Sequence, residues 1–165
     1  HAGNILDVER AAFRNAQANV FSHLSTFFDA IIREMVGPSA GGRVMLDGKG
    51  LKLSVELGGD RSTAAIDSLK VIAFDLAVMC MSMEGETHLP AFLIHDSPRE
   101  ADLGLSVYHR LFHLVRNLEQ AGGQPLFQYI VTTTTRPPDG LQEKPWLCES
   151  LGGSPAAMRL MRCDL

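Results

Sequence analysis

Several kinds of chemistry are excluded by what this chain lacks. Its three cysteines, Cys80, Cys148 and Cys163, are far apart and form no C-x-x-C pair. That excludes a disulfide framework and a cysteine zinc site, and points to reduced thiols in the cytoplasm. No apolar run reaches transmembrane length and no signal peptide precedes the first helical pattern, so no membrane association is expected. Positive charge is in deficit, 15 Lys and Arg against 19 Asp and Glu, for a net charge of −4. A free-standing nucleic-acid binder would be basic. No G-x-x-x-x-G-K-[ST] phosphate loop occurs, and Asp47-Gly48-Lys49-Gly50 has hairpin-turn composition instead. There is no G-x-S-x-G elbow, which argues against a serine hydrolase built on Ser97. Internal repeats and low-complexity tracts are also missing. What remains is 165 residues, 45% of them hydrophobic, enough for one domain with its own core. The opening His1, with no methionine, suggests a piece cut from a longer chain.

Apolar residues recur three or four apart from about Ile5 to Val36, among them Ala12, Phe13, Val20, Leu24, Phe27, Phe28, Ile31, Ile32 and Met35. That spacing predicts one long helix, ended by Gly37-Pro38. It reads equally as an amphipathic core helix or as the root of a coiled coil. Arg43–Leu46 and Leu51–Leu57 flank a turn and predict a hairpin. The polar loop Gly58-Gly59-Asp60-Arg61-Ser62-Thr63 leads into a strongly apolar helix from Ala64 to about Met83. Phe92-Leu93-Ile94-His95-Asp96 is a buried strand ending in a carboxylate, and a helix from about Leu103 to Gln120 follows it. Phe127–Val131 is a second buried strand, followed by Thr132-Thr133-Thr134-Thr135. A proline-bearing loop comes next, and 146–151 with 158–165 could close the fold as a pair of strands. Helix, hairpin, then β-α-β with a partly parallel sheet is a mixed α/β fold. We divide it into a helical root, 1–37, and a compact lobe, 38–165, against which the helix packs.

The order of the polar sites carries the chemistry. A Gly/hydroxyl loop opening a helix offers free N–H groups and hydroxyls to a phosphate. About 35 residues further on a strand ends in Asp96, and about 35 beyond that a strand ends in the run of threonines. In a parallel sheet ligands bind at the carboxyl ends of the strands, so Asp96 and the threonine run should meet at one edge. A carboxylate hung on a stiff strand is a suitable oxygen ligand for Mg²⁺ beside a nucleotide.

With these residues in place, the chain resembles the C-terminal half of the ATPase head of ABC-type coiled-coil ATPases, the SMC and double-strand-break-repair group. The resemblance covers nearly everything up to about Thr135. The Phe74-Asp75-Leu76 helix, the Phe92–Ser97 strand and Gln128-Tyr129-Ile130 look like an uncharacterised bacterial domain at the C-terminus of large coiled-coil ATPases. The resemblance implies a nucleotide site for ATP and Mg²⁺, completed by the protein's own N-terminal ATPase lobe. It implies Asp96 as metal ligand, and Gly59, Ser62 and Thr63 as a signature-type loop acting on nucleotide of a second head in a homodimer. It implies DNA as the object of the whole protein, in repair or defence.

Departures from that pattern are specific. The family's catalytic glutamate falls at Ser97, whose hydroxyl is no base. Glu100, one helical turn on, could substitute, as could Asp102; both equally suit the N-terminal cap of the next helix. The switch histidine falls at Thr134, which donates a hydrogen bond but does not titrate. Without the phosphate loop, this chain by itself is expected to be inactive. The alternative is a structural or dimerisation head that hydrolyses nothing. Two further patterns weigh less: His109 and His113, four apart, lack a third metal ligand, and Cys80 among Met79, Met81 and Met83 reads as helix packing. His95 should point away from Asp96 and be bonded within the core.

Overall fold

The computed structural model describes residues 2–47, 50–58, 62–99 and 103–152, with the side chains of 2–8, 10 and 14 left aside. Contacts divide the chain into two compact units, His1–Thr134 and Thr135–Leu165.

In the first unit the elements follow as α1 (Ala2–Val36), β1 (Gly41–Asp47), β2 (Gly50–Glu56), α2 (Thr63–Met83), β3 (Phe92–Asp96), α3 (Leu105–Gln120) and β4 (Gln128–Thr132). The order agrees with the mixed α/β reading, with an antiparallel hairpin β1–β2 and a parallel pair β3–β4. No helix among the described residues is long and apolar enough to cross a membrane.

Helix α1 is the central support, touching β1, α2 and α3. It packs along only part of its length. Leu24, Phe28, Ile31, Ile32 and Met35 are buried, whereas Phe13 and Val20, in the same apolar series, are exposed. The helix stops where Gly37 takes φ 138°, a conformation that glycine adopts without a Cβ penalty. Arg110 of α3 donates through Nη1 to the Val36 carbonyl (2.8 Å), satisfying one of the acceptors that every helix end leaves open.

The hairpin sits against α1, and side chains of α1 satisfy the outer edge of β1. Gly42 N–H donates to Asp29 Oδ1 (2.9 Å) and Val44 N–H to Ser25 Oγ (3.1 Å). Arg33 Nε donates to the other Asp29 oxygen (2.7 Å). The Arg33 guanidinium and the Gly42 N–H together hold the Asp29 carboxyl below its ordinary range.

Helix α2 is buried through most of its length because neighbours lie on several sides; Leu69, Ile72, Ala73, Leu76, Ala77, Met79, Cys80 and Met81 are all in the core. It ends in a Schellman motif, with Glu86 N–H on Met81 O (2.9 Å) and Gly85 N–H on Ser82 O (3.0 Å). On α3 the stripe Val107, Tyr108, Leu111 and Val115 faces inward.

Two sequence expectations need correction. The β3 and β4 strands are not buried on both faces. Their exposure alternates, with Phe92, Ile94 and Ile130 open to solvent and Leu93, His95, Tyr129 and Val131 turned inward. Apolar side chains on both faces read as a fully buried strand, but only the α2 side is covered here. In the second unit, 146–151 forms no strand. It follows turns in which Leu141 N–H donates to Pro138 O (3.1 Å), and Trp146 and Leu147 N–H both donate to Glu143 O (3.0 Å). The proposed partner strand, 158–165, lies outside the described residues.

Candidate functional site at the carboxyl edge of β3 and β4

The parallel register places Asp96 opposite Thr132 at the carboxyl ends of the two strands. Thr132 Oγ1 donates to Asp96 Oδ1 in a short hydrogen bond, and Ser97 Oγ donates to the same oxygen (3.3 Å). Among the described residues Oδ2 has no hydrogen-bond partner. Ser97 is held in place by its own N–H, which donates to Thr132 O (2.9 Å), and its φ is 46°. That left-handed conformation is uncommon for a residue with a side chain and costs of order 1 kcal/mol. The chain thus turns sharply after Asp96, and two hydroxyls converge on one carboxylate oxygen while the other stays open.

The next residues extend the edge. Tyr108 of α3 shares a hydrogen bond with Thr133 Oγ1 (2.9 Å), and burial pushes its phenol up against the lowering effect of that bond. Thr134 is exposed at the end of the run. Of the predicted site residues, Asp96 and Ser97 come together with Thr132. Glu100 and Gly59 lie outside the described residues.

On the inward face, directly beside Asp96, His95 is bonded within the core as strand alternation led us to expect. His95 Nε2 is 3.0 Å from Asp75 Oδ2 on α2, and Nδ1 is 2.7 Å from Tyr129 OH on β4. Its side chain is only 10% exposed. The two rings meet edge to face, their centroids 5.4 Å apart. Burial, and then the charge of Asp75, pushes the Tyr129 phenol far above its ordinary range, so it keeps its proton.

Ser62 and Thr63 stand elsewhere. Ser62 is the N-cap of α2, its Oγ accepting from Ala65 N–H (3.2 Å), and Thr63 is the first residue of the helix. Asp75, the contact of His95, is twelve residues along α2 from Thr63, a rise of about 18 Å.

Among the described residues a single group of three candidate metal-ligating side chains occurs, His23, Glu84 and Glu86, near the C-terminal end of α2. His23 Nδ1 is 2.8 Å from Glu86 Oε1, and Nε2 is 3.4 Å from Glu84 Oε2. Each ring nitrogen faces a different carboxylate, which is the arrangement of an imidazole paired with two acids. A metal would need one nitrogen aimed at a shared point. Among the described residues Asp96 belongs to no such group, and Mg²⁺ asks for none, since it is commonly held by one or two carboxylates together with phosphates and water. The carboxylate of Asp96 and the hydroxyls of Thr132 and Ser97 beside it are oxygen donors of the kind that suit that ion.

Residues 39–144 match the model of a family described as an uncharacterised protein conserved in bacteria, DUF2326. No curated protein matches the chain. A solved structure described under "Structural biochemistry of ATP-driven dimerization and DNA stimulated activation of SMC ATPases" has the same fold, with a TM-score of 0.54 and 19% identity over 73% of each chain.

Proposed function

This chain belongs to the bacterial DUF2326 family, and from that membership and its fold we propose that it is the C-terminal lobe of an SMC-like, ABC-type ATPase head. In the complete protein Asp96 holds Mg²⁺ on ATP, directly or through water, and the ion offsets charge on the phosphates. The Thr132 and Ser97 hydroxyls on Oδ1 fix the carboxylate and leave Oδ2 for the ion or its water. Ser62 and Thr63, at the positive end of α2, contact the γ-phosphate of nucleotide held by a second copy. That contact is made in trans, and hence in a head-to-head homodimer. Glu100 positions the attacking water, and Thr134 takes the place of a switch residue as a hydrogen-bond donor. The part of α1 that carries the exposed Phe13 and Val20 continues into a coiled coil. DNA handling, in repair or defence, is the task we assign to the whole protein.

The observation that carries this reading is the incompleteness of the β3–β4 sheet. Parallel sheets are as a rule covered on both faces and contain more than two strands. Here two parallel strands leave Phe92, Ile94 and Ile130 open on the same face that ends in Asp96 and Thr132. An N-terminal lobe that adds strands and covers this face would bring its phosphate loop to Asp96.

Calorimetry of Mg·ATP binding to the protein that includes the N-terminal lobe tests the assignment. The wild type should bind, and Asp96→Ala should weaken Mg²⁺-dependent binding by at least about tenfold. Normal binding and hydrolysis in Asp96→Ala would remove Asp96 from the mechanism. Ser97 in place of a catalytic glutamate favours a second reading, a head that binds nucleotide or associates without hydrolysis. Association of wild-type heads that is indifferent to ATP would favour that one.

A further inference from the structure

We propose that His95 is a positioning residue, the centre of an Asp75–His95–Tyr129 strut that locks the Asp96 edge of β3 to α2 and links it to the N-terminal end of that helix. The inference rests on the reading of Asp96 and Ser62 as nucleotide contacts, and deepens it by naming what connects them.

Two hydrogen bonds build the strut. A carboxylate only accepts, so His95 Nε2 must carry a proton and donate to Asp75 Oδ2 (3.0 Å). The Tyr129 hydroxyl and His95 Nδ1 share the second hydrogen bond (2.7 Å). Tyr129, His95 and Asp75 thus form one hydrogen-bonded chain across three elements. Packing alone does not need it, because the other inward position of β3 is filled by Leu93. A polar group in a core costs free energy unless fully bonded, and a fully bonded network selects one geometry over its neighbours.

The placement of the strut gives it a consequence. Successive strand residues point to opposite faces, so a shift of His95 moves Asp96 with it, on the other side of the sheet. Asp75 sits in a helix that runs from Thr63 to Met83 with no glycine or proline to absorb a displacement. A pull on Ser62 and Thr63 by nucleotide on a partner head is carried about 18 Å along that helix to Asp75. Through His95 it reaches the carboxylate at the metal site. Engagement of two heads and placement of the metal ligand become one event.

The test uses hydrogen exchange and Mg·ATP titration on the full protein with Asp75→Ala, Asp75→Asn and Tyr129→Phe. Asn keeps an oxygen that accepts from Nε2, and Phe keeps the ring packing while removing the phenol proton. Exchange of the 92–99 segment, which includes the Ser97 amide, should be about tenfold faster in Asp75→Ala and Tyr129→Phe and near wild type in Asp75→Asn. Mg·ATP affinity should follow the same order. Equal exchange of that segment in wild type, Asp75→Ala and Tyr129→Phe would overturn the strut. Absence of Mg·ATP binding by the wild type would instead defeat the nucleotide reading, and the exchange result would still decide whether the strut holds the Asp96 edge.

Discussion

Ser97 shows what single residues decide at this edge. Its hydroxyl, its amide and its left-handed backbone all serve the geometry of Asp96 and Thr132, so it acts as a support for the carboxylate. A base in its position would face Asp96 at close range and raise the cost of two adjacent charges. Cys80 makes a contrasting case. Burial, helped by the charge of Glu84, pushes its thiol from 9.0 up to about 11, and it sits 4% exposed among methionines of α2. The sign of the pH effect follows. The unfolded thiol ionises near 9.0 while the folded one keeps its proton to about 11, so the contribution to stability is whole below 9.0 and is lost as pH rises through 11. Urea midpoints should therefore decline from pH 9 upward, with Tyr108 and Tyr129 adding to the fall at higher pH. Cys80→Ala should remove the early part of that decline. At pH 8 a maleimide should label exposed Cys148 and spare Cys80 until the protein unfolds.

Among the elements, the contact of β1 with α1 is the tightest constraint. A Cβ built on Gly42 would lie 2.8 Å and 2.9 Å from ring atoms of Phe28 and 3.0 Å from Ile32. Both neighbours are completely buried and cannot withdraw. Gly42→Ala should cost about 1–3 kcal/mol in chemical denaturation, although the backbone angle there suits any residue. A loss below about 0.5 kcal/mol would show that the hairpin lifts freely from α1. This close approach was not legible in the sequence, where the strand reads as starting only at Arg43. What was legible were the periods: 3.6 for α1, α2 and α3, alternation for β2, and glycine with proline at the ends. Those signals are local, so the element order up to β4 came out as read. The partnership of His95 with Asp75 was not, because it joins a strand to a helix 20 residues away and leaves no spacing to recognise. The buried reading of β3 and β4 failed for a related reason. Composition reports that Phe92, Ile94 and Ile130 want to be covered, and says nothing about which stretch of chain covers them.

That open face is the property that belongs to the molecule as a whole. It ends in Asp96 and Thr132 on one side of the sheet, while the strut and the core lie on the other, so the same two strands separate a finished side from an unfinished one. If the N-terminal lobe completes the sheet, Ile94 changes from a surface residue into an interior one. It is 54% exposed in the chain as described. Ile94→Lys should thus have two different costs. In the 165-residue chain the lysine reaches solvent, and stability should stay within about 0.5 kcal/mol of wild type. In the longer protein the same lysine would be buried without a partner, and the cost should exceed about 2 kcal/mol. Mg·ATP binding should fall with it, because the phosphate loop would no longer be held against Asp96. Urea unfolding of both lengths, wild type and variant, reads the difference directly. Equal small effects in the two lengths would mean that nothing covers this face, and the sheet would then have to be understood as complete with two strands.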